Sequence, residues 1–290
     1  MRGLLTVYSR EVNEPKNGNT ARSRQLSNPR MKMVHFLVSL VVLACASSAT
    51  AVSNTTVGGD NDPYGTAGEY DLLIFARFWM GEPSKDIPCG SFAESNLTVH
   101  GIWPQYTDTQ DSHLWPQFCN ASSAVTGVSD TVQQKMLPQW QQYARSYPDT
   151  SDLKYKGLAE HEWNRHGVCW NASVNQLATT EDLEALQVDF FSRSMDLMQR
   201  FPTPALLGNA LRTKTAIALA DLQTAFGGKD MVTLQCNGDG QLTMVSLCFD
   251  KQLSKQVTCP ASVLEESYQN SCVVPKIVDP ITVAFDCSPN

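Results

Sequence analysis

No two of this chain's cysteines stand in a Cys-x-x-Cys pair, so the ligand spacing common to structural zinc sites is missing. No basic tract of the kind that grips duplex DNA occurs. Nor does any internal repeat or long low-complexity linker divide the 290 residues. The one strongly apolar run, near the start, is about a dozen residues long, and a membrane span needs ~20. Histidine is scarce, with five in all. These absences argue against a zinc-ribbon module, a duplex-DNA binder and a spanning protein, and direct attention to what the few histidines do.

The apolar run sits in MKMVHFLVSLVVLACASSATA, beginning at Met31: a lysine, the run itself, then small residues ending in Ala49-Thr50-Ala51. This is the layout of a secretory signal peptide, residues 31–51, cleaved after Ala51. Residues 1–30 are polar and basic with no apolar period, and read as a disordered N-terminal extension. Residues 52–68 are polar and read as a flexible lead-in. The remainder, 69–290, has the size of one domain.

Without residues 1–51, which hold seven basic and two acidic side chains, the chain keeps 22 − 7 = 15 basic and 29 − 2 = 27 acidic residues, a formal charge of −12. Such a protein repels polyanions at long range, so a nucleic-acid substrate would have to be met at a small local site. Eight cysteines follow the signal peptide: Cys89, Cys119, Cys169, Cys236, Cys248, Cys259, Cys272 and Cys287. An even count in that position predicts four disulfides formed in an oxidising compartment. Sequons at Asn54, Asn96, Asn120 and Asn171 agree with passage through a secretory pathway.

Tyr70–Trp79 (YDLLIFARFW) has the pattern of a mostly buried strand, and Asn96–His100 that of a short strand ending at Gly101. Ser129 to Tyr147 reads as a helix capped at Ser129 or Asp130 and disturbed by Pro138. Thr179–Asp182 opens a long helix to about Arg200, with Leu183, Leu186, Phe190, Phe191, Met195 and Met198 near one face. Thr213 is a candidate cap for a helix from Lys214 to Phe226, stopped by Gly227-Gly228. Two alternating runs, Met231–Cys236 and Gln241–Phe249, flank Asn237-Gly238-Asp239-Gly240 and predict a hairpin. A last strand is expected through Ile281–Phe285. Helices grouped between strands predict an α+β fold, a central antiparallel sheet flanked by helices.

The densest chemistry lies in HEWNRHGVC, residues 161–169. Its His161 and His166 are five apart, about 140° around an α-helix, whereas a zinc-protease helix places its pair four apart. With His161 at zero, Arg165 falls near 40° and Glu162 near 100°, so all four polar groups share one broad face. That face is too wide for a single tetrahedral ion but could line a pocket. A second stretch, HGIWPQY at 100–106, adds another histidine. Both stretches are rich in Trp and Gly, which costs a fold something unless a site needs them. Taken by residue type alone, a solvated helix face and a Trp-Pro turn remain as good an account.

His-Gly-Ile-Trp-Pro followed some sixty residues on by His-Glu-Trp-x-Arg-His-Gly-x-Cys resembles the two active-site segments of the ribonuclease T2 family, the secreted acid ribonucleases. YDLLIFARFW looks like that family's first core strand. The resemblance covers most of residues 69–287. It implies a disulfide-stabilised α+β fold, with bridges Cys119–Cys169, Cys236–Cys272 and Cys248–Cys259 and, for the remaining pair, Cys89–Cys287. It also implies metal-free, cofactor-free cleavage of single-stranded RNA through a 2′,3′-cyclic phosphate to a 3′-phosphate, at acid pH. By matching position, His166 would be general base, His100 general acid, and His161 a phosphate ligand, with Glu162 and Arg165 polarising the phosphate. Imidazole, with an unperturbed pKa of ~6.5, suits either proton transfer.

DNA lacks the 2′-hydroxyl and is expected not to react. After signal removal a monomer with no membrane attachment is expected, secreted or held in an endolysosomal or vacuolar compartment. The chain departs from the family pattern at Arg165, where Lys is usual, at Gln105, where Trp-Pro-Asp is usual, and at Leu158-Ala159, where an aromatic pair is usual. Trp103, Gln105 and Tyr106 are the candidate base-binding residues, and Trp115 is a further free aromatic. Two other readings stay beside the ribonuclease: a glycoprotein of the same fold that binds RNA or a partner without turnover, and a metallohydrolase using His161 and His166.

Overall fold

The computed structural model describes residues 62–79, 96–132, 134–135 and 153–283. The expected signal peptide, Asn54, Cys89 and Cys287 lie outside the described residues. Those described fall within one compact unit, Ser53–Asn290. Four strands, β1 (Leu72–Phe78), β2 (Thr98–Gln105), β3 (Val232–Cys236) and β4 (Leu242–Asp250), form an antiparallel sheet in the order β2-β1-β4-β3. The α-helical segments that accompany it include α1 (Leu153–Glu162), α2 (Val168–Trp170), α3 (Thr180–Arg200), α4 (Ala205–Thr213), α5 (Leu219–Ala225) and α6 (Ala261–Leu264). A π-helical turn, Trp163–Gly167, joins α1 to α2. The fold is α+β, and no described helix is long and apolar enough to cross a membrane.

Both faces of the sheet are buried. On one, Leu73 and Phe75 of β1, Ile102 of β2 and Phe249 of β4 pack with Phe190, Phe191, Met195 and Met198 of α3 and with Trp163. On the other, Leu72, Ile74, Trp103 and Met244 pack with the Cys248–Cys259 disulfide and Val263 of α6. This double burial explains why β1 reads as a continuous apolar run rather than a strict alternation. It also encloses Arg77, fully buried, whose Nη1 donates to Phe201 O at 2.7 Å while burial pulls its pKa down to about 9.

Several local expectations hold, because each rests on chemistry within a few residues. Thr179 and Asp182 form a reciprocal capping box at the start of α3. The Asn237–Gly240 turn joins β3 to β4. Ser129 Oγ accepts the Val132 N–H at 3.2 Å at the start of a helical turn, and residues 136–152 lie outside the described set.

Three expectations need correction. Thr213 ends α4 rather than opening a helix; Lys214 follows in the left-handed region at φ 54°, and α5 starts only at Leu219. Of the strand expected through Ile281–Phe285, Ile281 and Thr282 make only isolated bridges, and residues 284 and 285 lie outside the described set. The third concerns β2, which does not stop at Gly101 but runs on through Pro104. It tolerates that proline because it is an edge strand of the described sheet.

Disulfides join Cys119 to Cys169, Cys236 to Cys272 and Cys248 to Cys259. Asn120 and Asn171 cap the 3₁₀ turns Ala121–Ser123 and Ala172–Gln176. Asn120 Nδ2 donates to Val174 O at 3.2 Å and Asn175 Oδ1 at 2.8 Å, so a glycan there would cost one of these bonds.

Candidate active site

The two histidine segments meet because β2 carries a bulge and the α1–α2 helix carries a π turn. In β2, Gly101 pairs with Ala76 while Val99 pairs with Arg77, so His100 is the extra residue. A bulge shifts side-chain parity and re-aims the residue it holds. Val99 and Ile102, three apart, therefore share the main core, while Trp103 joins the opposite cluster. In the helix, the π turn makes residues five apart neighbours. The rings of His161 and His166 stand 6.4 Å apart, centroid to centroid, at 78°. The 140° separation expected from ideal α geometry does not apply.

Glycine at both His-Gly steps has a steric cause. A Cβ on Gly167 would overlap Trp163 Cε3 and lie 3.0 Å from Cδ2, so the indole could not fold back on the π turn. A Cβ on Gly101 would overlap Glu162 Oε2 and lie 2.8 Å from Cδ. The strand thus makes room for a carboxylate from the helix.

Glu162 is fully buried. Its Oε2 accepts from Trp103 Nε1 at 2.9 Å. Its Oε1 lies 3.1 Å from His100 Nε2, close but not aligned as a full hydrogen bond. Burial pushes the carboxyl pKa up, but the His100 imidazole, His166 and the Trp103 N–H outweigh it and hold it below its ordinary value. Glu162 therefore does not share an open face with the histidines, as the helical-wheel geometry implied. It sits beneath them as an ionised anchor for His100 and Trp103.

His100 is wedged between Phe78, stacked on it at 4.0 Å, and the Trp103 ring at 4.9 Å, while its Nδ1 touches Met244 Sδ at 3.4 Å. Trp103, 8% exposed, stacks at 5.2 Å on His166. His100 and His166 thus flank one indole. Burial lowers the His166 pKa to about 3, reinforced by Arg165, His161 and His100 against the opposing pull of Glu162. Its buried Nδ1 has no hydrogen-bond partner, so no hydrogen bond at that atom supports the charged form. His161, more exposed, is also lowered, by burial first and then by Arg165 and His100 against Glu162.

Arg165 Nη2 donates to Gln117 Oε1 at 3.0 Å, and Gln117 also accepts from Trp115 Nε1 at 3.2 Å. The phenylalanine amide of residue 118 bonds the Arg165 carbonyl at 3.0 Å, and Cys119–Cys169 ties the same loop to α2. His100, Trp103, Gln105, Trp115, His161, Arg165 and His166 line a single cavity of about 430 Å³. Its other wall is Glu266, Tyr268 and Gln269, and these three, with Gln117, were not singled out by sequence. Only the aromatic character of Tyr268 offered a signal.

Of the candidate base-binding residues, Gln105 is buried and its Nε2 is committed to Leu114 O at 2.8 Å. Tyr106 is not in this cavity. It is buried, edge-on to Tyr64 at 6.3 Å, and faces a separate cavity beside Asp71 and Lys251. Its position just past the end of β2 turns it to the opposite side from Gln105.

Potential ligand atoms of His161, Glu162 and His166 all lie within 4.8 Å of one another. The π turn creates this proximity, which the spacing argument against a shared ion overlooked. The carboxylate is already engaged by Trp103 and His100, however, and a metal would have to displace those contacts. What the cavity offers without one is an imidazole biased to neutrality, a second imidazole beside a carboxylate, and a guanidinium. That is the equipment for moving two protons around an anion.

Residues 70–259 match the sequence profile of the Ribonuclease T2 family. Ribonuclease Trv of Hypocrea rufa is 30% identical over 194 residues, 64% of this chain and 76% of that relative. Ribonuclease DdI of Dictyostelium discoideum is 25% identical over 238 residues, 79% of this chain and 92% of the relative. The crystal structure of Actibind, described as a T2 ribonuclease, shares the fold, with a TM-score of 0.52 at 20% identity, covering 76% of this chain and 93% of that one.

Proposed function

This chain belongs to the ribonuclease T2 family, and on that footing we propose that it cleaves single-stranded RNA by metal-free transphosphorylation. The observation that carries this reading is the single cavity lined by His100, His161, Arg165 and His166 from two separate segments. His166 takes the proton from the ribose 2′-hydroxyl. The 2′-oxygen attacks the adjacent phosphorus, the bond to the 5′-oxygen breaks, and His100 gives that oxygen a proton. A leaving oxygen in the cavity competes with Glu162 Oε1 for the His100 Nε2 proton, which the imperfect alignment of that pair favours. His161 and Arg165 receive the charge that gathers on the phosphorane, where a fixed cation acts more strongly than in water. Water then opens the 2′,3′-cyclic phosphate to a 3′-phosphate by the reverse proton transfers.

A dinucleoside monophosphate incubated with the purified protein in EDTA is the test. A 2′,3′-cyclic phosphate product, and no reaction with the 2′-deoxy analogue, is the expected outcome. No cleavage at any pH would favour a binding protein without turnover, and cleavage abolished by chelation would favour a metallohydrolase.

The pH profile carries a second prediction. A base must be neutral to act, so the rate falls as pH drops through the His166 pKa. Held at about 3, that pKa puts the acid limb of kcat/KM far below the ordinary imidazole value. Arg165 is one cause of the depression. Arg165→Gln is therefore expected to move the acid limb to higher pH and to lower kcat/KM by about 10²-fold through loss of phosphate stabilisation. Arg165→Lys keeps the charge and is expected to leave the limb in place. An unmoved limb in Arg165→Gln would mean another group governs it.

We further propose that residues 31–51 are removed during secretion, that 69–290 form the catalytic domain, and that the protein works as a monomer in an extracellular, endolysosomal or vacuolar setting. The cysteine pairing and the sequons support that route. Asn171, whose side chain uses Oδ1 to cap Ser173, fits a glycan better than Asn120 does.

A further inference from the structure

Three successive residues of one loop grip the helical turn that carries Arg165. Gln117 Oε1 accepts from Arg165 Nη2 at 3.0 Å, the Phe118 N–H donates to the Arg165 carbonyl at 3.0 Å, and Cys119 is bonded to Cys169. We propose that Gln117 is a positioning residue: it aims the Arg165 guanidinium at the reacting phosphate, using a neutral oxygen that leaves the full positive charge available. The proposal rests on the ribonuclease reading and adds to it the group that gives Arg165 its direction.

The guanidinium has little else to hold it. Among the described residues it makes no other hydrogen bond and no ion pair with a carboxylate, and its buried Nε is without a partner. Arginine presents a planar fork whose N–H groups meet an anion in fixed directions. A fork left free to turn on its long stem must be ordered as charge develops, whereas one already held needs no reorganisation at that moment. A carboxylate in place of the amide would hold the fork more strongly but would cancel the charge that the phosphorane needs. A neutral acceptor gives direction without neutralisation.

Gln117 is itself fixed. It is 3% exposed, its backbone exchanges hydrogen bonds of 2.8 and 2.9 Å with Tyr64, and its Nε2 donates to Asp62 O at 3.0 Å. A carbonyl only accepts, so the amide nitrogen must face Asp62 and the oxygen must face Arg165. The same oxygen accepts from Trp115 Nε1 at 3.2 Å, so it ties together two residues of the cavity wall. Phe118 takes a φ of 52°, a conformation that a residue with a side chain keeps only where its surroundings impose it. The segment from Asp62 to Tyr64, upstream of the boundary expected at residue 69, thus acts on the cavity through Gln117.

Gln117→Leu removes the acceptor at similar volume and is expected to lower kcat/KM for a ribodinucleotide about tenfold, the scale of one hydrogen bond to a charged group. In the Arg165→Lys protein, whose point charge needs no aiming, the same change should cause a loss of about twofold or less. Gln117→Glu keeps the size and the acceptor, and covers the case in which the leucine variant fails to fold. It should also lose activity, and the acid limb of kcat/KM should move to higher pH. The new carboxylate would join Glu162 in favouring the charged form of His166 against Arg165, His161 and His100. Equal losses from Gln117→Leu in the two backgrounds, no loss in either, or wild-type activity and an unmoved limb in Gln117→Glu overturn the proposal. Inorganic phosphate titrated into the full-length proteins gives a readout that needs no turnover. Gln117→Leu should weaken its binding in the wild-type background and leave it unchanged with Arg165→Lys; any other pattern counts against the proposal. The expected pattern in a protein that cleaves no RNA would count against the ribonuclease reading and for the role of Gln117.

Discussion

Phenylalanine at position 100 or 166 is expected to remove RNA cleavage while leaving the fold in place. Each proton transfer is worth about 10²–10⁴ in rate. Because the two groups act on one displacement, the double variant should be little slower than the slower single one. His100 is already held between aromatic rings, and His166 is stacked on Trp103 in a buried position, so an apolar ring fits either place. His166→Phe carries a second signature. The His166 pKa is depressed in the folded protein, so its contribution to stability is fully present above the unfolded value of ~6.5. It is lost as pH falls towards about 3, because the unfolded chain binds a proton that the folded one refuses. Removing the imidazole should make the variant less sensitive to acid over that window, read by thermal melts at several pH values. Near-normal turnover in either single variant would overturn the roles assigned here.

The other large effect is expected at a residue with no functional group at all. Gly101→Ala puts a methyl into the space of the Glu162 carboxylate, which is fully buried and held by Trp103 and His100. Overpacking of this kind costs about 1–3 kcal/mol, and breaking the partners of a buried charge a further ~3–5. The variant should melt well below the wild type and lose activity by at least about 10²-fold, since His100 loses its anchor. Gly238→Ala, where a Cβ meets nothing within 4 Å, is the control and should be close to neutral. Glu162→Gln separates the two effects: its size is kept, so stability should fall less than in Gly101→Ala while activity still drops. A fully active, normally stable Gly101→Ala protein would mean that the carboxylate is free to move, contrary to its burial.

Both predictions turn on geometry that ideal periodicity does not contain. An α-helical wheel spreads His161, Glu162, Arg165 and His166 over one face, with Glu162 among the groups meeting the phosphate. The π turn instead brings the two imidazoles together, and the close approach of β2 draws Glu162 underneath them. Likewise a strand ending at Gly101 would leave Trp103 in a turn. The bulge at His100 lets the strand continue and carries Trp103 against His166. Tyr106 lies away from the histidine cavity because a single residue of register moves a side chain to the other side.

What the sequence by itself determined is whatever depends on neighbours a few residues away: the Thr179–Asp182 cap, the Asn237–Gly240 turn, the buried character of β1, and the two motifs by which the family is recognised. The tertiary structure alone decided how those motifs meet: the bulge, the π turn, the buried carboxylate beneath His100, and the Tyr268 wall opposite. The reason is physical. A cap or a turn is stabilised by bonds within its own segment, whereas a bulge, a widened helical turn or a buried charge persists only because a remote segment supplies the packing and the partners that offset its cost.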